Sequence, residues 1–110
     1  MGFPAASASL AASQTISSAE ALEVFRALGD PNRLEILRIL HEEEELCAGD
    51  LLEKVAVVQS TLSHHMKTLT ESGLVAERKQ GRWTYYRIVP EMFDQTGGFL
   101  HRYVLPPEQE

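Results

Sequence analysis

Over residues 50–87 the hydrophobic period of the chain changes once, from helical to alternating, and that change limits the folds open to it. Leu62, Met66 and Leu69 recur at spacings of four and three, which puts them on one helix face that has to be buried. Ser60, Ser63, His64 and Lys67 fall on the opposite side. The helix stops at Ser72 and Gly73, where Gly supplies the left-handed residue that closes a helix C-terminus, and Leu74 and Val75 begin a strand. Lys79-Gln80-Gly81-Arg82 then reads as a hairpin tip, with Trp83, Tyr85 and Arg87 alternating with Thr84, Tyr86 and Ile88 along the return strand. Upstream, Asp50 lies in the first turn of a short helix with Leu51, Leu52 and Val55, and a turn at Val57-Val58 leads into the longer helix.

Helix, turn, helix and basic-tipped hairpin are the layout of a winged helix-turn-helix, so the expected fold is mainly α (α+β) with a two-stranded β-hairpin wing. The polar side of the longer helix is mostly short and free of acids until Glu71, and so can hydrogen-bond base edges and phosphates in a major groove. Residues 59–87 carry five Lys or Arg against two Glu in a chain of formal charge −6. One basic element on an acidic chain points to nucleic acid, because the local footprint matters more than the total. The expected groove contacts are Gln59, Ser60, Thr61, Ser63 and His64, with Lys67 and the wing residues Lys79, Arg82 and Arg87 on the phosphate backbone. His65, beside Leu62 and Leu69, is expected at the edge of the core, and Trp83, Tyr85 and Tyr86 are expected to pack the hairpin onto it.

The flanks read as helices. One opens near Ser17 or Ser18, with Leu22, Phe25 and Leu28 on its apolar face, and Gly29 ends it. Asp30 caps the next, with Pro31 in its first turn and Leu34, Ile36, Leu37 and Leu40 as its buried stripe; Arg33 and Arg38 are expected in solvent, as is the acidic run Glu42 to Glu45. Pro90 starts a last helix containing Met92, Phe93, Phe99, Leu100 and Val104. A break or early end is expected at Gly97-Gly98, since each Gly weakens a helix by roughly 1 kcal/mol relative to Ala. The domain reading is an N-terminal tail over 1–16, one DNA-binding and dimerisation domain over 17–105, and a short tail over 106–110.

The 110 residues suffice for one domain with a modest core, to which a dimer would add buried surface. Nothing approaches the roughly 18 consecutive apolar residues of a membrane span. The start, MGFPAASASLAASQT, has no basic flank of a secretory signal, and the single cysteine, Cys47, forms no internal disulfide; the expected compartment is the cytoplasm. No pair of carboxylates at a plausible site, no nucleophile with an evident base and no Gly-rich phosphate loop points to an enzyme.

VVQSTLSHHMKTLTESGLV with ERKQGRWTYYRI, preceded by FRALGDPNRLEILRIL and ELCAGDLLEKV, resembles the ArsR/SmtB family of dimeric bacterial transcriptional repressors over roughly residues 19–99. The resemblance implies a homodimer on double-stranded DNA with an inverted-repeat operator. It implies that the first and last helices pair across a two-fold axis, with Leu22, Phe25, Phe93 and Leu100 near the interface. It also implies release by an effector: a metal, a metalloid or a redox signal. Three departures bear on that. Arsenic-responsive members carry two cysteines separated by one residue where this chain has Cys47 and Gly49, while arsenite wants about three thiolates. The zinc-site pattern of Asp-x-His is missing, because Asp94 is followed by Gln95 and Thr96 with only His101 beyond, about 10 Å along a helix. Val58 stands where relatives have a capping Ser or Thr, a loss of about 1 kcal/mol in typical hosts. Arsenite or a transition metal therefore lacks a complete ligand set, and Cys47 and His101 are the candidate effector residues. The competing readings are a winged-helix protein-interaction module and a constitutive repressor without a metal sensor.

Overall fold

The N-cap signals fold as read. In a computed structural model that describes residues 16–105, Ser17 caps helix α1 (Ser18–Leu28) in a reciprocal box: its hydroxyl accepts from the Glu20 N–H at 3.1 Å and its own N–H donates to the Glu20 carboxylate at 2.8 Å. Asp30 caps α2 (Pro31–Glu43) by accepting from the N–H groups of Asn32 and Arg33. The expected tails fall outside the described residues except for Ile16, which is buried.

The chain then runs through β1 (Leu46–Cys47), α3 (Ala48–Lys54), α4 (Gln59–Ser72), β2 (Val75–Gln80), β3 (Trp83–Ile88) and α5 (Pro90–Val104). Strand β1 is not among the elements that the sequence pattern predicts. It pairs antiparallel with β3, Leu46 opposite Tyr86 and Cys47 opposite Tyr85, so the expected two-stranded hairpin of β2 and β3 is extended to a three-stranded sheet in the order β1-β3-β2, with β3 central. Two residues carry too little alternation to signal a strand, and their pairing is decided by the partner.

The core joins Val24 and Ala27 of α1, Ile36, Leu37, Ile39 and Leu40 of α2, Leu51 of α3, Leu62, Met66 and Leu69 of α4, and Leu46, Leu74, Val75 and Tyr86 around the sheet. Two expected stripes are rotated. On α1 the buried residues are Ala21, Val24 and Ala27, whereas Leu22 is half exposed and Phe25 and Leu28 only partly buried; on α2, Ile39 is buried and Leu34 is exposed. Ala21 and Ala27 are the small residues among the three that α1 buries, while Leu22 faces outward and Leu28 packs only at the margin of the core.

The last helix does not break at Gly97-Gly98 and runs through all 15 residues. Met92 and Phe93 pack against the core, Thr96 is buried with its hydroxyl donating to the Met92 carbonyl at 2.7 Å, and the Arg102 guanidinium lies over Gly98. Packing of the first turns outweighs the weak intrinsic preference of two glycines. Gly73 closes α4 at φ 89, as its position suggested, and its N–H donates to the Thr70 carbonyl.

Glu42, Glu43 and Glu44 of the acidic run are exposed, as expected, while Glu45 is half-buried. Glu42 pairs with Arg38, Glu43 approaches Lys54 at 3.9 Å, and Glu45 pairs with Arg78 of β2. Between them Glu44 adopts φ 69 and ψ −42 while the Glu45 N–H donates to the Glu43 carbonyl at 2.8 Å, a γ-turn whose positive φ is costly for any residue with a Cβ. Replacing Glu44 by Gly should therefore raise the unfolding free energy by about 1 kcal/mol, measured by urea denaturation; an unchanged or lower midpoint would contradict this turn.

Candidate nucleic-acid interface

Burying Leu62, Met66 and Leu69 leaves Gln59, Ser60, Ser63, His64 and Lys67 exposed along one side of α4, with Thr61 half-buried at its margin. Val58 occupies the N-cap and makes no side-chain cap bond, so no side-chain oxygen closes the first turn of α4. No acid interrupts this side before Glu71.

The rotation of α4 about its axis is held by a side chain that the sequence reading placed in solvent. Arg33 is half-buried, because its guanidinium reaches back to the end of α1: Nε donates to the Ala27 carbonyl at 2.7 Å and Nη2 to the Arg26 carbonyl at 3.1 Å. Its third nitrogen, Nη1, lies 3.2 Å from Nδ1 of His65 on α4. Arg33 can only donate, so Nδ1 accepts and the neutral ring carries its proton on Nε2, which faces Asp30 Oδ2 at 3.8 Å. One guanidinium thus ties the α1–α2 junction to the buried face of α4. His65 is the packed, core-edge residue it was expected to be.

The electrostatics follow from that placement. Burial lowers the His65 pKa below 6.5; the Asp30 carboxylate opposes the shift, and the Arg33 guanidinium and His64 reinforce it. The Asp30 carboxyl is held below the ordinary value chiefly by the Arg33 backbone N–H, against the cost of desolvation.

On the wing, Gln80 pairs with Trp83 across a two-residue turn of Gly81 and Arg82, and Gly81 takes φ 62. Lys79, Arg82 and Arg87 are exposed. Arg78 is different: it pairs with Glu45, lies 4.5 Å from the centre of the Tyr85 ring and has only 14% of its side chain exposed. It fastens the wing to the turn before β1. Of the three aromatics expected to pack inward, Tyr86 is buried and Tyr85 half-buried, but Trp83 is 54% exposed, so that expectation fails for the tryptophan. Being the first residue after the turn, it lies where the strand has already run past the core.

The effector candidates stand apart. Cys47 is half-buried at the junction of β1 and α3, and His101 is exposed on α5. Among the described residues no group of three or more His, Cys, Asp or Glu is gathered that could hold a metal ion, and the whole chain has one thiol. Gly49, where a second thiol would stand, has open space around its missing Cβ. The donor set does not fit arsenite. Of the residues expected at a dimer interface, Phe25, Phe93 and Leu100 line one apolar groove between α1 and α5, with Leu28, Leu74 and Gly97; Leu22 lies on the neighbouring outer face of α1. No described helix is long and apolar enough to cross a membrane.

Comparison with known proteins agrees with this geometry. The sequence profile of the bacterial regulatory protein arsR family matches residues 30–77, from the cap of α2 into β2. The chain is 40% identical over 72 residues to an uncharacterized HTH-type transcriptional regulator of Methanocaldococcus jannaschii, covering 66% of this chain and 81% of that protein. It is 46% identical over 79 residues to the arsenical resistance operon repressor of Staphylococcus xylosus, covering 72% and 75%. Among solved structures, an ArsR-like transcriptional regulator from Rhodococcus sp. RHA1 superposes with a TM-score of 0.70 at 33% identity, covering 77% of this chain and 79% of that one.

The His65 contact has a pH consequence. Because the folded state lowers its pKa, the unfolded chain binds more protons below 6.5, and stability should fall as pH drops from 6.5 until the folded-state pKa is passed. Urea midpoints at pH 7.5 and 5.5 should show a drop in the wild type that His65→Gln largely removes; equal drops in both proteins would contradict the burial of a neutral ring.

Proposed function

The chain belongs to the bacterial arsR family of regulatory proteins, and on that basis we propose that it is a homodimeric repressor that occupies an inverted-repeat operator in the cytoplasm. It is a winged-helix DNA-binding transcriptional regulator and not an enzyme. The observation that carries the finer reading is the exposed, acid-free side of α4 from Gln59 to Lys67, beside a wing whose Lys79, Arg82 and Arg87 are exposed. In this reading Gln59, Ser60, Thr61, Ser63 and His64 meet base edges, and Lys67 with the wing cations holds phosphates. The cations are few, so they orient the protein while the short polar side chains discriminate sequence.

The proposed dimer uses α1 and α5. Leu22 is 50% and Leu100 46% exposed beside the apolar groove that holds Phe25 and Phe93, a surface that costs free energy in water and is removed by a second copy. Two-fold symmetry then sets the recognition helices about 34 Å apart, one turn of DNA. Any thiol-directed signal has to act at Cys47, which pairs with Tyr85 on the wing and also precedes the first residue of α3; Cys47→Ser then abolishes the response, and a retained response removes that role. His101, on α5, is the remaining effector candidate, near the surface assigned to the dimer.

Replacing Ser63 and His64 together by Ala should weaken operator binding by at least about tenfold while leaving affinity for random duplex nearly unchanged, since each good base contact discriminates by about 1–3 kcal/mol. Equal affinity of variant and wild type for the operator would place sequence reading elsewhere. Sedimentation of the wild type at micromolar concentration should give a dimer, and Leu100→Asp a monomer; a wild-type monomer would contradict the symmetric arrangement.

A further inference from the structure

The wing carries an exposed side chain that neither its fold nor the contacts assigned above employ. Trp83 is the only tryptophan in the chain and is 54% exposed. It opens β3 opposite Gln80, so it closes the turn made by Gly81 and Arg82; the exposed Arg82 directly precedes it, while Lys79, also exposed, pairs with Thr84 and belongs to the other face of the hairpin. Alternation along β3 gives the buried side to Tyr86 and puts Trp83 on the other parity. The sheet is anchored without it, through Tyr86 in the core and the Arg78 pair with Glu45.

A large aromatic group left in water at the tip of a cationic hairpin marks an interaction surface. The apolar face suited to a second copy lies on α1 and α5, not on the wing. Lys79 and Arg82 are complementary to a polyanion, and the wing already flanks the proposed DNA-reading helix. We propose that Trp83 is a DNA-contacting residue, its indole packed against the deoxyribose edge of the minor groove where the wing tip meets the duplex. This rests on the DNA-binding reading given above. Apolar side chains make such contacts beside minor-groove cations in other architectures.

The assignment differs from a phosphate contact in a measurable way. A neutral ring displaces no counterion, so it adds affinity at every salt concentration without changing the slope of affinity against salt; an arginine on a phosphate changes that slope by about 1. The test uses the full-length chain and duplex from the DNA upstream of its own gene, with binding followed by anisotropy of a labelled duplex over a series of KCl concentrations. Trp83→Ala should bind about fivefold or more weakly at every concentration with an unchanged slope, Trp83→Phe should lie between it and the wild type, and Arg82→Ala should flatten the slope. In the wild type, saturating DNA should protect the single tryptophan from acrylamide quenching, a readout that needs no variant to fold.

Binding of Trp83→Ala within twofold of the wild type, or unchanged quenching at saturation, would overturn the proposal. So would loss of the dimer on sedimentation of Trp83→Ala, which would give the indole to a second copy instead. If the wild-type anisotropy shows no salt-dependent binding at all, the DNA-binding reading itself falls, and that is visible before any Trp83 variant is compared.

Discussion

Burial of Leu62, Met66 and Leu69 is the constraint from which the rest of the structure follows. A helix has one circumference, so committing that stripe to the core fixes which residues face solvent, and here these are Gln59, Ser60, Ser63, His64 and Lys67. Burial alone tolerates some rotation. The Arg33 guanidinium narrows it, because one planar fork is held by two carbonyls at the end of α1 and touches His65 on α4. Asp30 belongs to the same knot: it caps α2 and faces the protonated nitrogen of His65. Local capping and tertiary positioning are thus carried by the same few atoms.

The wing depends on a second junction. Pairing of Leu46 and Cys47 with Tyr86 and Tyr85 joins the base of the hairpin to the start of the helix-turn-helix, and the Arg78–Glu45 pair bolts β2 to the same place. This leaves Lys79, Gly81, Arg82 and Trp83 as the free end of a supported arm. The strained turn at Glu44 lies immediately before that junction, where α2 must reverse into β1 within two residues. A partly buried ion pair such as Arg78–Glu45 adds orientation more dependably than it adds stability.

Much of this was legible in the residues. Helix caps at Ser17, Asp30 and Gly73 are local chemistry, and they stand where the sequence puts them. The stripe on α4 and the Gly81 turn were equally plain, because period and turn chemistry act over a few residues. What escaped depended on distant partners. Arg33 looks like any solvated helix cation until the end of α1 and His65 come within reach; α1 buries Ala21 and Ala27 and leaves Leu22 facing outward, which periodicity does not record. Continuity of α5 through two glycines follows from packing of Met92, Phe93 and Thr96, and the exposure of Trp83 from how far the hairpin outruns the core. The candidate DNA-facing residues were named from the sequence, and they stand exposed or half-exposed on α4 and the wing; their roles follow from the proposed function.

The chemistry of regulation is where this chain departs from the two-cysteine pattern that the family resemblance implies, since one thiol and Gly49 give a soft metal too few donors, while the side of α4 proposed to face DNA is exposed and free of acids before Glu71. What this arrangement of side chains is proposed to do is bind DNA sequence-specifically through α4 and the wing. The most direct test is anisotropy of a labelled duplex from upstream of the chain's own gene, compared with a scrambled duplex of the same length at two salt concentrations. Tight binding to the first is expected, weaker by at least about a thousandfold on the second, with affinity for both falling as salt rises. Equal affinity for the two duplexes, or no binding at low salt, would contradict sequence-specific binding.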